Sequence, residues 1–408
     1  MSEPAILTQP LTATTPMSPE VLACPHAFNA RLRREAPVYR CPHTGIVFVS
    51  DYATVRSVAR DHKTFSNRFG QAMRAPGEID PRLLEAQADG YPPVDTMLTQ
   101  DPPLHRRYRG MVNEAFTTRR VATLAPYLER LCHELIDGFA AAGECELVES
   151  FAEPVPMTVI AAQLGVPLAD YALFKSWSDA FVAQLSRLAS ADEELAAMKL
   201  VVEFQRYFAA KIEQRRLEPR DDIISDIVQA RFENERPLDV PEMLSILQQL
   251  LVAGNETTTH SIAEGVLLLI ANPDQQQLLR RDPGLLENFV EEVLRLSSPT
   301  ANMWRVATRD TNINGVPVEA GGMVQLRFSS ANRDERVFED SQRLDVTRGN
   351  AGSHLAFGVR AQRSAARRIA FAAAFQRAHR LTASAGSPSP VRQPCRRERS
   401  ARRRACPP

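Results

Sequence analysis

Hydrophobic residues recur at helical spacing along most of the chain between residues 103 and 297. Positions three and four apart fall on one face of a helix, so the pattern predicts a series of long helices. They are expected at 103–116, 118–142, 154–164, 169–186, 190–216, 221–232, 240–271, 273–280 and 284–297. A short β-branched strand at 45–50 precedes a predicted helix at 51–60, and residues 311–328 carry strand and turn signals. The pattern therefore predicts a mainly α fold, a single large domain with a small β portion.

Three segments lie outside this pattern. Residues 1–20 are expected to be a loose arm, residues 66–98 a polar loop, and residues 359–408 an aberrant, disordered tail, which leaves a domain at 21–358.

The sequence has no run of 18 apolar residues, and it does not begin with a basic stretch followed by an apolar one. We therefore predict a cytoplasmic protein with neither a membrane span nor a signal peptide.

Charge is divided unevenly between the body of the chain and its tail. Residues 359–408 contain 13 Arg, no Lys and a single acid, Glu398. Removing them from the chain's 49 basic and 49 acidic residues leaves a body with 36 basic and 48 acidic residues, a net charge of −12. Such a tail can be a nucleic-acid arm, but this one starts inside a motif rather than after a linker. An out-of-frame translation explains the change better, and no nucleic-acid partner is predicted.

The predicted helix at 240–271 contains the run Ala253-Gly254-Asn255-Glu256-Thr257-Thr258. Gly costs about 1 kcal/mol against Ala inside a helix, and a Thr hydroxyl can bond a carbonyl one turn back and open the helix. A packing glycine or a surface polar turn is the ordinary explanation. The alternative is a site in which Ala253 and Gly254 leave room for a flat cofactor. Glu256 and Thr257 then place a proton source and a hydroxyl beside that room.

A second group of motifs follows this helix. Glu292-Val-Leu-Arg295 puts an acid and a base on one helical face, which in isolation is usually a solvated surface pair. The flanking motifs, in chain order, are Asp101-Pro-Pro-Leu-His105 through Arg109, then Arg305, Ala331-Asn-Arg-Asp334 and His354-Leu-Ala-Phe-Gly358. In order and spacing the whole set resembles the cytochrome P-450 superfamily, bacterial soluble type, over roughly residues 20–358.

The resemblance implies roles for individual residues. Four cationic or donor side chains match positions that hold the two haem propionates: His105, Arg109, Arg305 and His354. A buried salt-bridge cluster is implied for Glu292, Arg295 and Arg343, with Arg348 as the alternative to Arg343. Thr257 and Glu256 match an alcohol–acid pair that delivers protons to bound oxygen. The remaining cofactor-binding positions are Ala253, Gly254 and Phe357.

The resemblance also implies a cofactor and partners. Haem b is expected, with O2, electrons from NAD(P)H through a ferredoxin and a ferredoxin reductase, a hydrophobic small-molecule substrate, and a monomeric enzyme. Arg106 and Arg107 are candidates for docking the redox partner, with a solvated basic helix face as the alternative. Apolar residues of four segments are candidates for the substrate pocket, although each has a core alternative: 66–98, 170–200, 247–257 and 300–304.

The chain departs from this family at the haem-ligand loop. The family pattern after Phe357-Gly358 is x-Gly-x-His-x-Cys-x-Gly, and the ligand is the cysteine. The residues at the four fixed positions here are Arg360, Gln362, Ser364 and Ala366. No metal ligand is therefore predicted, haem binding is in doubt, and the four simultaneous replacements fit a shifted reading frame.

Two functions follow from this departure. The first is a monooxygenase that inserts one oxygen atom into an apolar substrate and is impaired as written, because its axial cysteine is missing. The second is a haem-free homologue that acts as a partner or activator of another enzyme. The pair of Glu256 and Thr257 favours the first, since a pure scaffold has no use for a proton source beside a hydroxyl.

Overall fold

The structure is a computed structural model, and it describes residues 10–13, 15–72, 80–113, 122–186, 190–232 and 236–359. These residues form two compact units. Unit 1 comprises residues 10–72 and 264–359, and unit 2 comprises residues 80–263. The predicted arm is described only from residue 10, without residue 14, and the predicted tail lies outside the described residues after Val359.

Helices make up most of the described chain. Those with both ends described are α1 (Pro19–Ala23), α2 (Pro25–Glu35), α3 (Tyr52–Arg60), α4 (Phe69–Ala72), α5 (Pro81–Ala88), α6 (Leu104–Asn113), α7 (Ala125–Ala140), α8 (Pro154–Gln163), α9 (Tyr171–Ser186), α10 (Ala191–Leu217), α11 (Ile223–Gln229), α12 (Val240–Ala271), α13 (Pro273–Arg281), α14 (Leu286–Ser297) and α15 (Phe328–Ala331). The prediction for 240–271 is confirmed at both ends by α12. Within the described ranges, every helix is too short or too polar to span a membrane.

One segment differs from the sequence prediction. Residues 66–98 were expected to be a polar loop, but α4 and α5 both lie within them. Asp80 begins α5, because its Oδ1 accepts the backbone N–H of Arg82 at 2.9 Å, and Pro81 fits the first helical position. Polar composition hid this helix, since none of its side chains is buried.

Unit 1 contains the β portion. Its strands are β1 (Val38–Arg40), β2 (Val47–Val49), β3 (Phe65–Ser66), β4 (Met303–Ala307), β5 (Thr311–Ile313), β6 (Val316–Val318) and β7 (Met323–Leu326). Five of them form a sheet in the order β1-β2-β7-β4-β3, in which β2 and β7 are parallel and the other pairs antiparallel. Strands β5 and β6 form the predicted hairpin, and both Asn314 and Gly315 have the positive φ that its tight turn needs.

The core of unit 2 lies between α9 and α10. Trp177 of α9 is completely buried, and its ring packs edge-on against Phe204 of α10 at 5.8 Å between centroids. Helix α10 begins with a capping box, in which Ser190 and Glu193 each bind the backbone N–H of the other. Leu247 and Leu251 of α12 belong to the same buried cluster, so the α12 turn at 253–257 continues from a rigid core.

Candidate functional site

A fully buried ion pair joins Glu292 and Arg295 on α14. Arg295 Nε donates to Glu292 Oε1 at 2.6 Å and Nη2 donates to Oε2 at 2.9 Å, which is a bidentate pairing. The third guanidinium nitrogen, Nη1, donates to the carbonyl oxygens of Asn332 and Ser341 at 3.0 and 2.6 Å. The predicted pairing is confirmed, and it fastens α14 to the loop that follows α15.

The prediction that Arg343 completes this cluster was wrong, and its alternative Arg348 takes the place. Arg348 Nε lies 3.0 Å from Glu292 Oε1 with 6% of its side chain exposed. Arg343 is 61% exposed and faces Asp274 at 3.7 Å. The backbone of Arg343 is what turns inward, because its carbonyl oxygen accepts from Nη2 of both Arg295 and Arg348 at 3.2 and 3.3 Å. Its side chain is thereby directed away from the cluster.

His354 lies at the end of a 3-10 turn in unit 1, with 2% of its side chain exposed. Its Nδ1 accepts the backbone N–H of Ala356 at 3.1 Å, and its Nε2 lies 3.2 Å from Glu291 Oε2. In spite of that proximity, Nε2 is buried and makes no hydrogen bond within the described residues. His354 thus lies at the start of the ligand loop next to α14, and its role toward a haem propionate stays a prediction.

The other predicted cofactor residues of unit 1 are Arg305 in the middle of β4 and Phe357 in the loop that begins at His354. Arg305 is buried on β4 opposite Val324 of β7, and its Nη1 donates to the carbonyl of Trp304 at 2.7 Å. The Phe357 ring lies 5.7 Å from that of His354, at an interplanar angle of 64°. The left-handed φ of +75° at Gly358 turns the chain directly after it. Their roles toward a cofactor remain predictions.

In unit 2, the hydroxyl of Thr257 donates to the carbonyl oxygen of Ala253 at 2.8 Å, one turn back along α12. This is the side-chain-to-backbone contact that the sequence predicts. The predicted opening of the helix does not accompany it, because α12 is continuous from Val240 to Ala271. A Cβ added at Gly254 would meet Ile160 at 3.9 Å, which is ordinary contact. The described packing of unit 2 therefore does not by itself require glycine there.

Polar neighbours flank this turn on α12. Glu256 Oε2 lies 3.8 Å from His260 Nε2, and 32% and 65% of the two side chains are exposed. On a buried face, Asn255 Nδ2 donates to the hydroxyl of Ser178 on α9 at 3.1 Å, and Thr259 donates to Asn255 Oδ1 at 3.4 Å. The buried contacts fix the rotation of α12, whereas Glu256 keeps access to water.

Helix α6 contains four of the predicted basic residues, His105, Arg106, Arg107 and Arg109. His105 is half-buried and Arg109 is exposed, so both stay candidates for binding an anion. The prediction that Arg107 docks a redox partner was wrong, because its side chain is 7% exposed and its Nη1 lies 2.8 Å from Glu242 Oε1. The spacing of basic residues on an amphipathic helix does not show whether one of them is buried in an ion pair. The partner of Arg107, the carboxylate of Glu242, lies 135 residues further along the chain.

Glu242 is an important residue that sequence reasoning missed. Burial alone would raise its pKa, but hydrogen bonds from Arg107, the Asp239 backbone N–H, Arg236 and Tyr108 lower the pKa to about 2. Burial and this carboxylate raise the pKa of Tyr108 to about 12. A signal for Glu242 was present: Asp239-x-x-Glu242 is a capping box, and each side chain accepts the other's backbone N–H at 3.0 and 2.9 Å.

The described cysteines do not lie on the ligand loop. A thiolate ligand is needed at the end of the loop that begins at His354. The described cysteines that are free thiols are Cys41, Cys132 and Cys145, and none of them lies on that loop. Ser364 occupies the ligand position and lies outside the described residues. The described part of the chain therefore offers no cysteine on the ligand loop for a haem-thiolate centre, although the turn at Ala253–Thr257 and the cluster around Glu292 are intact.

Comparison with known proteins identifies consistent relatives. The family model described as Cytochrome P-450 matches residues 284–358. The steroid C26-monooxygenase of Mycobacterium tuberculosis is 36% identical over 327 residues, which is 80% of this chain and 83% of that protein. The cytochrome P-450 monooxygenase PikC of Streptomyces venezuelae is 36% identical over 342 residues, 82% of this chain and 78% of that protein.

Solved structures give the same result for the fold. Cytochrome P-450 CYP109Q5 from Chondromyces apiculatus is 36% identical with a TM-score of 0.76, and the match covers 89% of each chain. CYP109E1 from Bacillus megaterium, in complex with testosterone, is 29% identical with a TM-score of 0.72 over 86% of this chain and 89% of that one. The predicted mainly α fold with a small β portion is confirmed.

Proposed function

Because the chain belongs to the cytochrome P-450 family, we propose that it is built as a monooxygenase that inserts one oxygen atom of O2 into an apolar small molecule. The hydroxyl–carbonyl contact between Thr257 and Ala253 at 2.8 Å carries this proposal. It holds a hydroxyl at a fixed place on α12, one residue along the chain from Glu256. A scaffold protein would gain nothing from that arrangement.

Thr257 and Glu256 are the proposed proton-handling residues. A threonine hydroxyl both donates and accepts, so it can hold a water molecule and pass on a proton. Glu256 is 32% exposed and lies 3.8 Å from His260, whose side chain is 65% exposed. A carboxylate with this access can take up protons from solvent and supply them to the hydroxyl.

The cofactor that the family implies is haem b, which supplies the reduction and activation of O2 when it is bound. Arg305, Arg109, His105 and His354 are the residues proposed to hold its propionates, because cationic or donor side chains pair with carboxylates. Electrons are proposed to come from NAD(P)H through a ferredoxin and a ferredoxin reductase, with exposed Arg106 as a docking contact. The enzyme is proposed to be cytoplasmic and monomeric.

The proposed substrate is a medium-sized hydrophobic molecule, such as a steroid, a terpenoid or an aromatic compound. One relative is named a steroid C26-monooxygenase, and another was solved with testosterone bound. These names support a compact apolar substrate for this chain, whose pocket residues would come from the 89–98 segment and from α12. A panel of such compounds, titrated into haem-loaded protein and followed by absorption, would identify the class.

Ser364 supports the further proposal that the sequence is out of frame after residue 358 and that the chain as written is impaired. Reading the gene in the next phase after the Gly358 codon should give Gly-x-His-x-Cys-x-Gly. The purified chain, reconstituted with haem, should lack the thiolate-type band in its reduced carbon monoxide difference spectrum. A frame-restored chain should have that band. A strong thiolate-type band from the chain as written would contradict the impairment.

The missing cysteine also favours a second candidate, a haem-free homologue that acts as a partner or activator of another enzyme. On that hypothesis the gene has no ligand motif in any phase after Gly358. The protein as written would then raise the activity of a second enzyme in a reconstituted assay, and haem would make no difference to the effect. Recovery of the motif in another phase would exclude this candidate.

A further inference from the structure

Residues 89–98 of unit 2 lack regular secondary structure, yet side chains of two helices hold their backbone. On one side the carboxamide of Gln205 in α10 pairs with Tyr91 in both directions. Gln205 Oε1 accepts the Tyr91 N–H at 2.9 Å, and its Nε2 donates to the Tyr91 carbonyl at 3.3 Å. Next to it, Arg206 Nη2 donates to the carbonyl of Asp89 at 3.0 Å. The start of the segment is thereby fixed to α10.

Helix α12 holds the other end of the segment. Gln249 Oε1 accepts the backbone N–H of Leu98 at 3.0 Å, and its Nε2 donates to the hydroxyl of Thr96 at 2.5 Å. The Ser245 hydroxyl donates to the Val94 carbonyl at 2.7 Å, so the Thr96 hydroxyl is the donor in its 3.0 Å contact with Ser245. Thr96 is completely buried. One glutamine thus satisfies both a backbone group and a buried hydroxyl.

The position of these anchors along α12 gives them a functional meaning. Ser245, Gln249, Ala253 and Thr257 follow one another at steps of four residues on an unbroken helix. Each such step turns about 40° around the helix axis, so the four positions form one slowly winding stripe. Segment 94–98 is bonded to the first half of the stripe, and the second half carries the turn proposed to handle protons.

We propose that Gln249 is a positioning residue that sets one wall of the substrate pocket before any substrate binds. It does so by fixing residues 94–98 along the stripe that leads to Ala253 and Thr257. The interpretation of residues 94–98 as a pocket wall rests on the proposed function. The hydrogen bonds from Gln249 to these residues do not depend on it. A wall that is fixed before substrate binds selects substrates by shape. Because this wall does not move, other segments must form the passage through which substrate enters.

Amide hydrogen exchange on the full chain, without haem or substrate, tests this fastening directly. In the native protein residues 94–98 should exchange slowly, at rates comparable to the ends of α12. In Gln249→Ala, exchange at Leu98 and across 94–98 should rise about tenfold or more, the effect of losing a typical hydrogen bond. Tyr91, which Gln205 holds, and residues 204–212 of α10 should exchange as before.

Two further variants separate positioning from a general loss of stability. Gln249→Glu keeps an acceptor for the Leu98 N–H but loses the donor to Thr96, so Leu98 should stay more protected than in Gln249→Ala. Gln277→Ala, at an exposed site on α13 in unit 1, should change neither rate. Fast exchange of 94–98 in the native protein, or an unchanged rate in Gln249→Ala, would overturn the proposal. Since no cofactor enters this measurement, failure of the monooxygenase proposal leaves its result intact.

Discussion

The guanidinium of Arg348 lies 3.0 Å from the carboxylate of Glu292, although Arg343 is nearer to Glu292 along the chain. Glu292 thus faces two guanidinium groups, those of Arg295 and Arg348, in a site with no exposed side-chain surface on the acid. Whether Arg343 or Arg348 pairs with Glu292 depends on which of the two residues turns its backbone carbonyl toward the cluster. Arg343 supplies that carbonyl, so its side chain cannot also enter the cluster.

Arg348→Ala should lower the free energy of unfolding by about 3–5 kcal/mol, because it removes one partner from a buried charged cluster. Arg343→Ala should cost less than about 1 kcal/mol, since its side chain is 61% exposed and makes only a surface pair with Asp274. Urea denaturation of the two variants, followed by circular dichroism, measures the difference. Equal losses in both variants would contradict the assignment of Arg348.

Acid should weaken unit 2 through Glu242, whose pKa falls from 4.5 in a free carboxylate to about 2 in the folded chain. An acid with a lowered folded pKa stabilises the fold fully above its unfolded pKa and loses that contribution as pH falls toward the folded value. The free energy of unfolding should therefore drop between about pH 4.5 and pH 2. In Glu242→Gln this part of the pH dependence should be absent.

The control for that measurement is Glu203→Gln, which changes an exposed carboxylate on α10. It should leave the slope of stability against pH as in the native chain. A native slope that persists in Glu242→Gln would assign the acid sensitivity to other carboxylates.

Ser178→Ala should destabilise the chain by about 1–3 kcal/mol, because it leaves the buried amide of Asn255 without its acceptor. Adding Asn255→Leu removes the stranded donor, so the double variant should be more stable than the sum of the two single losses predicts. A double-mutant cycle on unfolding free energies measures this coupling. Additive losses would mean that the contact between α9 and α12 contributes nothing specific.

Thr257→Ala should change how reducing equivalents are used in a frame-restored protein. Without the hydroxyl, proton transfer from Glu256 loses its fixed relay, so more hydrogen peroxide should form per NAD(P)H consumed. Substrate affinity should stay nearly constant, since the hydroxyl bonds to the Ala253 carbonyl. Peroxide and product are both measured against NAD(P)H. Thr258→Ala, at a neighbouring buried site, is the matched control and should keep the native ratio.

The sequence predicts the features that depend on local periodicity. It predicts α12 from end to end, the pairing of Glu292 with Arg295 one turn apart, and the bend at Asn314-Gly315. Each of these is determined by residues within a few positions of one another. The contact between Thr257 and Ala253 belongs to the same class, because a hydroxyl reaches the carbonyl four residues earlier.

Features that depend on distant segments were not predictable in this way. The sequence neighbours of Arg107 are typical of an exposed helix face. Its ion pair with the buried Glu242, at the start of α12, is visible only in the structure. The bonds from Gln249 to residues 96–98 likewise join segments about 150 residues apart. A glutamine or a serine on a helix does not predict hydrogen bonds to a distant segment, because both residues are common on solvent-exposed helix faces.

The parallel pairing of β2 with β7 also determines when unit 1 can fold during synthesis. Val47 and Val49 leave the ribosome early, but their partners Val324 and Leu326 are among the last described residues to be made. Until then β2 has an unpaired edge, which favours capture by chaperones. Once Leu326 has emerged, the five-stranded sheet can close. Unit 1 can therefore close only after every described residue of unit 2 has been made.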